Sequence, residues 1–250
     1  MFKKGFTLAE MLMTLTIIGI ISAVTLPGLL AHHETVKLQS ALKRTYLDLN
    51  DFAAYFAADK HMSVSEYTSR NGLQSLINEY SDYMAMIEKK SDYKWGDDAK
   101  NRPYKIYQLQ NQGVEAGLPC DAGASIYNKD NLGRTVAFDD APRSGYNGPR
   151  ICVDINGEHK PNIMGKDVFS FLFTTDGSVI PEGQEHPNNF TEDKGSKGFA
   201  WEAGTSVGPQ HCYDSTVALT CAYYALNDIS PKIEGHKYWT QFIEKREYDK

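Results

Sequence analysis

The longest run of uncharged residues lies close to the start of the chain. From Met11 to His33 there are 23 residues without Asp, Glu, Lys or Arg. At about 1.5 Å per residue this run reaches roughly 34 Å as a helix, enough to cross a hydrocarbon core of about 30 Å. Two lysines, Lys3 and Lys4, precede the run, and Glu10 stands directly before it. The pattern predicts a membrane-spanning helix with one carboxylate at its edge, where burial in lipid is costly.

Beyond this run the hydrophobic pattern becomes amphipathic. Between residues 31 and 59 apolar side chains recur at steps of three and four, which is the spacing of one helical face. Charged residues fall between them, and no glycine or proline interrupts residues 29–60. We therefore predict one helix from Phe6 to about Asp59, roughly 80 Å long, whose second half packs one face against a globular domain. The apolar positions of that face are Leu38, Leu42, Tyr46, Leu49, Phe52, Ala53 and Phe56.

Weaker helical patterns appear twice in the remaining chain. The first covers residues 61–95, with Ser63 or Ser65 as candidate cap and a break at Asn71-Gly72. The second is a last short helix that contains Trp239, Phe242 and Ile243.

Strand patterns occupy the middle of the chain. We predict strands at residues 104–109, 151–155 and 168–174, the last of which turns at Asp176-Gly177 into residues 178–180 through a type I′ turn. Phe169, Phe171 and Phe173 alternate, so they share one face of their strand, and we expect that face to pack on the long helix. The predicted fold class is α+β, with an antiparallel β-sheet on the second half of one long N-terminal helix.

Charge limits the kind of partner that the soluble part can bind. The formal net charge is -6, and without Lys3 and Lys4 it is -8, from 24 basic and 32 acidic side chains. This balance disfavours a nonspecific nucleic-acid or anionic-membrane surface. Basic residues precede the apolar run and none follows before Lys37, so the positive-inside rule places the N-terminus in the cytoplasm.

Four cysteines lie in the part that this orientation places outside. An even number of cysteines in an oxidising compartment predicts two disulfides, and four reduced, buried thiols are the alternative. Three pairings are open to four cysteines. We prefer Cys120–Cys152 and Cys212–Cys221, because each closes the shortest available loop.

The segment Lys3-Lys4-Gly5-Phe6-Thr7-Leu8-Ala9-Glu10, with the apolar run behind it, resembles the class III signal of type IV pilins and type II secretion pseudopilins. The resemblance implies a cut between Gly5 and Phe6 by a prepilin peptidase, N-methylation of Phe6, and a role in assembly for Glu10. It divides the chain into a leader (1–5), a membrane-spanning half-helix (6–30), an amphipathic half-helix (31–60) and a soluble pilin-like domain (61–250). A plain signal anchor and a cleaved secretory signal are the alternatives.

The resemblance implies a structural subunit of a type IV pilus or type II secretion-like filament. Its partners would be other subunits, contacted through the N-terminal helix, the prepilin peptidase and the inner-membrane assembly machinery. The alternative is a minor or tip pilin that binds DNA, a surface or a secreted substrate. The implied location is the inner membrane, with the C-terminal domain periplasmic, followed by a periplasmic or extracellular filament. The sequence contains no recognisable catalytic motif, so we do not expect an enzyme.

One loop carries residue types that can bind a metal. Asp154, Asn156 and Glu158 alternate as in oxygen-ligand calcium loops, and Asp167 follows within the same segment. Position 12 from Asp154 is Gly165 rather than the glutamate of an EF-hand, and Asp-x-Asn-Gly is also an ordinary turn. We expect a plain turn and no cofactor, with calcium as the alternative.

Overall fold

The computed structural model describes residues 7–86, 88–94, 105–116, 120, 126–138, 148–186, 208–214 and 218–249. It begins with a single long helix, α1 (Leu8–Lys60), followed by two short helices, α2 (Val64–Asn71) and α3 (Leu73–Tyr83). A β-sheet and a helical C-terminal segment come next. The predicted α+β arrangement and the long N-terminal helix are confirmed.

Six strands form one antiparallel sheet whose spatial order repeats the order in the chain. Every strand therefore pairs with its sequence neighbours, and the predicted strands at residues 151–155 and 168–174 are confirmed within one residue at each end. The strands are β1 (Glu88–Lys94), β2 (Ile126–Lys129), β3 (Thr135–Phe138), β4 (Arg150–Asp154), β5 (Val168–Phe173) and β6 (Val179–Pro181).

The turn between β5 and β6 differs from the predicted type I′ turn. A type I′ turn needs a positive φ at both central residues. Here Gly177 has a φ of 94°, whereas Asp176 has no positive φ. Gly177 N donates to Thr174 O at 3.1 Å and Thr174 N donates to Ser178 O at 2.8 Å. The loop therefore has three residues, with the glycine at its left-handed position.

Two further predictions were wrong in part. The predicted helical region 61–95 contains α2, capped by Ser63 as expected, and α3, but it ends in strand β1. The sequence of β1, with five charged residues among seven, has no apolar helical face, and its backbone pairs with β2 instead. Of the predicted strand at residues 104–109, residues 105–109 are described, and they form only an isolated bridge at Tyr107, which pairs with Glu115 and Ile163. A turn at residues 111–114 reverses the chain soon after Tyr107, so no ladder forms.

The core lies between the second half of α1 and one face of the sheet. All predicted positions of the α1 face are buried except Tyr46, which is partly buried against the core. Tyr46 stacks on Phe171 with ring centroids 6.0 Å apart, and Phe52 meets Phe173 at 5.9 Å. The third aromatic of β5, Phe169, has its ring contact with Trp239 of the π-helix, with centroids 6.1 Å apart. The prediction for this face is thus confirmed for two of the three phenylalanines.

The C-terminal segment packs against β5, β6 and α1. It contains α4 (Gln210–Tyr213), α5 (Cys221–Asn227), a π-helix (Tyr238–Ile243) and a 3-10 turn (Glu247–Asp249). The predicted last helix around Trp239 is therefore present, in the wider π form. The disulfides are Cys120–Cys152 and Cys212–Cys221, the pairing that the sequence analysis preferred.

Candidate assembly site

The start of α1 is a capping box built from Thr7 and Glu10. Glu10 N donates to Thr7 Oγ1 at 3.2 Å, while Thr7 N and Thr7 Oγ1 both donate to the Glu10 carboxylate at 2.8 Å. In such a box two backbone N–H groups that the helix leaves unpaired are satisfied by side chains. Glu10 is thus the third helical residue, and its carboxylate is held beside the first turn of the helix.

Glu10 was predicted from the sequence as an assembly residue, whereas Thr7 was not. The signal was present, because Thr7-Leu8-Ala9-Glu10 has the T-x-x-E spacing of a capping box before an apolar run. Gly5 and Phe6, the two residues of the predicted cut, lie outside the described residues.

The first half of α1 is apolar on all sides and exposed on all sides. Thirteen large apolar side chains from Leu8 to Leu30 are at least 50% exposed. The helix is long and apolar enough to cross a membrane by length and composition. Apolar exposure on this scale marks a surface that contacts lipid or other protein chains.

The change from exposed to buried occurs at Thr35, the first residue of α1 that is buried in the domain. Just before it, His32 Nδ1 lies 3.1 Å from Glu244 Oε1, which follows directly after the π-helix. The C-terminal segment therefore reaches the edge of the apolar half. At about 1.5 Å per residue, His32 lies roughly 36 Å along the helix from its start at Leu8.

Arg134 ties the second half of α1 to the sheet. Its guanidinium is buried, donating from Nη1 to Asp48 Oδ2 at 2.8 Å and to Thr45 Oγ1 at 3.1 Å, both on α1. Its Nε donates to Asp130 Oδ2 at 2.5 Å. A charged group with such partners is costly to shift, so it fixes how α1 is placed on the sheet.

The four residues of the candidate metal loop occupy different environments. Asp154 and Asp167 are fully buried, Asn156 is half-buried and Glu158 is exposed. Asp154 Oδ1 accepts from Asn156 N at 3.3 Å, as in an ordinary Asx turn. The loop therefore gathers three of the four predicted residues and leaves Glu158 on the surface.

Asp167 is the most unusual ionisable group of this loop. Its Oδ2 accepts from Asn162 N at 2.7 Å and its Oδ1 from Ile163 N at 2.5 Å. Burial raises the pKa of Asp167 to about 7, although these two hydrogen bonds lower it. Among the described residues no group of three or more His, Cys, Asp and Glu side chains is placed to hold a metal.

Comparison with known proteins identifies the beginning of the chain. Residues 1–26 match the family model described as the prokaryotic N-terminal methylation motif. No curated protein and no solved structure matches the chain. The matched segment contains the capping box and most of the exposed apolar half of α1. The chain therefore carries the class III prepilin-type signal of type IV pilins and pseudopilins.

Proposed function

We propose that this chain is a structural subunit of a type IV pilus or type II secretion-like filament, assembled from the inner membrane. The observation that carries the proposal is the methylation motif at residues 1–26, joined to a helix half with no partner among the described residues. That half needs lipid around it before assembly and other helices around it afterwards. The soluble domain, attached through the second half of α1, would coat the outside of the filament.

Processing precedes assembly in this proposal. A prepilin peptidase cuts between Gly5 and Phe6 on the cytoplasmic side, where Lys3 and Lys4 hold the leader. The cut leaves 245 of the 250 residues and creates a new α-amine on Phe6, which is then methylated. Methylation leaves this amine protonated.

Glu10 gains its partner from that cut. In the single chain its carboxylate is held by Thr7, at an exposed helix start near the membrane edge. In a bundle of apolar helices an ionised carboxylate requires a cation close by. The α-amine of Phe6 on a neighbouring subunit supplies one, and this pairing would set the axial position of each incoming subunit.

The experiment scores processing and assembly separately. Intact-mass analysis of membrane-extracted protein should show loss of Met1 to Gly5 and one added methyl group. Glu10→Gln should be cut and inserted normally, yet enter sheared filaments at least tenfold less, because breaking a buried ion pair costs about 3 to 5 kcal/mol. Glu34→Gln, an exposed acid on the same helix, is the matched control.

Two results would contradict the proposal. An unprocessed Met1 in a host with active prepilin peptidase removes its central step. Normal incorporation of cleaved Glu10→Gln removes the pairing role, and loss of cleavage in the same variant makes Glu10 a recognition residue of the peptidase instead.

A minor or tip subunit that binds DNA, a surface or a secreted substrate is the second candidate. It is favoured by the size of the soluble part, which adds α2, α3 and a C-terminal helical segment to its sheet. The abundance of the chain in sheared filaments separates the two, because a main subunit dominates them and a tip subunit is rare.

A further inference from the structure

We propose that the C-terminal segment of the soluble domain rests on phospholipid headgroups at the periplasmic face of the membrane, where Lys245 and Lys37 bind lipid phosphates. The inference rests on the membrane insertion of α1, which is part of the proposed function, and it adds a lipid partner for the subunit before assembly. It is carried by the height of the domain on α1, by the contact between His32 and Glu244, and by two exposed lysines.

The height of the domain above the membrane follows from the length of the apolar run. A hydrocarbon core of about 30 Å takes about 20 helical residues, so a span that begins at Met11 ends near Leu30. The headgroups add roughly 5 to 7.5 Å on each side, which corresponds to about three to five further residues. His32 and Thr35 therefore lie at the level of the headgroups, and a helix tilt of about 20° lowers their heights by only about 6%.

The membrane span joins the domain without a linker. α1 is continuous from Leu8 to Lys60, and Thr35 is its first residue buried in the domain. The height of the domain is therefore set by the helix. The π-helix of the C-terminal segment packs against α1, and directly after it Glu244 Oε1 lies 3.1 Å from His32 Nδ1. The turn at residues 244–246 is thus held close to the level of the headgroups.

Two exposed lysines at this level suit a phosphate surface. Lys245 lies in that turn and Lys37 on α1, and neither forms an ion pair among the described residues, whereas Arg246 is paired with Asp249 at 2.6 Å. Lys37 lies roughly 10 Å beyond Leu30, and side chains of a helix lean toward its N-terminus, which here is toward the membrane. A lysine has a long flexible stem and three N–H donors, so its ammonium can reach lipid phosphates.

The charge of the remaining chain limits the contact to this end of the domain. Without Lys3 and Lys4 the net charge is -8, so anionic lipids repel the domain as a whole. At physiological ionic strength charges are screened beyond about 8 Å, so only the residues nearest the headgroups interact strongly with them. The predicted contact is therefore local and depends on single lysines.

The test uses the full chain in nanodiscs of phosphatidylcholine and phosphatidylglycerol, and in micelles of an uncharged maltoside detergent. A water-soluble acylating reagent labels exposed lysine amines, and peptide mass spectrometry gives the rate at each lysine. Lys245 and Lys37 should react about fivefold more slowly in nanodiscs, the factor that corresponds to the attraction of one basic residue to an anionic surface. About 1 M salt should restore the rate of Lys245, because it shortens the screening length to about 3 Å.

Lys43 is the internal control, because it is exposed on the same helix but lies roughly 20 Å beyond the hydrocarbon. Its rates in nanodiscs and micelles should agree within about twofold, since screening isolates it from the headgroups. Variants give a second readout. Amide exchange of residues 238–249 should be slower in nanodiscs than in micelles. Lys245→Glu should remove this difference and Lys43→Glu should keep it.

Three results would overturn the inference while leaving the filament proposal intact. They are equal reactivity of Lys245 in nanodiscs and micelles, an equal slowing of Lys43, and slow amide exchange that persists in Lys245→Glu. A chain that fails to insert into nanodiscs, with residues 11–30 open to amide exchange, would instead remove both proposals.

Discussion

The two halves of α1 belong to one continuous helix, yet their leucines have opposite surroundings. Leu29 in the first half is 65% exposed, whereas Leu38 in the second half is 2% exposed. Only nine residues, roughly 14 Å of helix, separate them. The second half is already packed against its own sheet. No described residue buries the first half, and a surface of this kind contacts lipid or other helices.

The two halves of α1 also differ in which faces of the helix are exposed. In the second half exposure alternates with the helical period, so that Leu42 is buried while Leu47, on the opposite face, is 59% exposed. In the first half exposure follows no face. A helix that is apolar all round is typical of one surrounded by lipid or by other helices. The second half of α1 thus contributes to the stability of the soluble domain, and the first half is the surface that we propose for assembly.

The largest expected effect on stability comes from replacing a leucine by alanine, and it should differ between the two halves of α1. Leu42→Ala should lower the free energy of unfolding of the soluble domain by about 2 to 5 kcal/mol, because it leaves a cavity in a fully buried site. Leu29→Ala should leave it unchanged within about 0.5 kcal/mol, because no described residue packs on that side chain. Chemical denaturation in micelles measures both.

Filament incorporation gives the complementary readout. Leu29→Ala should reduce incorporation, provided that its expression and membrane insertion match those of the unmodified chain. The comparison breaks down if Leu29→Ala destabilises the soluble domain as much as Leu42→Ala does, because the first half would then be packed against its own chain.

Removal of a disulfide should have the next largest effect, and only on the packed part of the chain. Cys212 Sγ lies 4.0 Å from the hydroxyl of Tyr238, where the π-helix that packs near α1 begins. Replacing Cys212 and Cys221 by serine should cost about 2 to 3 kcal/mol on the chain-entropy model, with processing and membrane insertion unchanged. Thermal melting and intact mass measure these two outcomes.

Removal of the second disulfide, Cys120–Cys152, should have a larger effect on the free energy of unfolding. Removing Cys120 and Cys152 should cost about 1 kcal/mol more, because that bridge spans 32 residues rather than 9. Non-reducing peptide mapping is the direct check. A link between Cys152 and Cys212, or four free thiols, would contradict both pairings.

The smallest expected effect locates the boundary between the halves. His32 and Glu244 are in contact, but their side chains are 54% and 24% exposed, and exposed pairs contribute little. Glu244→Gln should therefore change the free energy of unfolding by less than about 0.5 kcal/mol. Were the loss above about 2 kcal/mol, packing would begin at His32 rather than at Thr35.

The sequence predicted α1 well because both of its halves are long and strongly patterned. The first half has an uncharged run and the second half an apolar repeat at steps of three and four, and each extends over more than twenty positions. A single residue that departs from such a long pattern does not change the prediction. The aromatic face of β5 was predictable for the same reason, since strict alternation assigns each phenylalanine to a side. What each side packs against depends on the tertiary structure, and Phe169 meets Trp239 of the C-terminal segment.

The remaining features depend on contacts between residues far apart in the chain. β1 is charged and has no strand pattern, and only its pairing with β2 makes it a strand. Asn162 looked like an ordinary loop residue, because nothing in the local sequence shows that it is buried and donates its backbone N–H to Asp167. Thr7 is different, since its T-x-x-E spacing could be read from the sequence.

The order of the sheet has a consequence for synthesis. Because each strand pairs with the one before it, a strand that emerges from the ribosome finds its partner already made. The buried face of α1 waits longer for part of its cover. Tyr67 of α2 and Tyr80 of α3 follow it closely, but the phenylalanines of β5 that meet Tyr46 and Phe52 are translated roughly 120 residues later. Until β5 emerges, part of that face and the whole first half of the helix are exposed, and exposed apolar surface makes a nascent chain prone to aggregation.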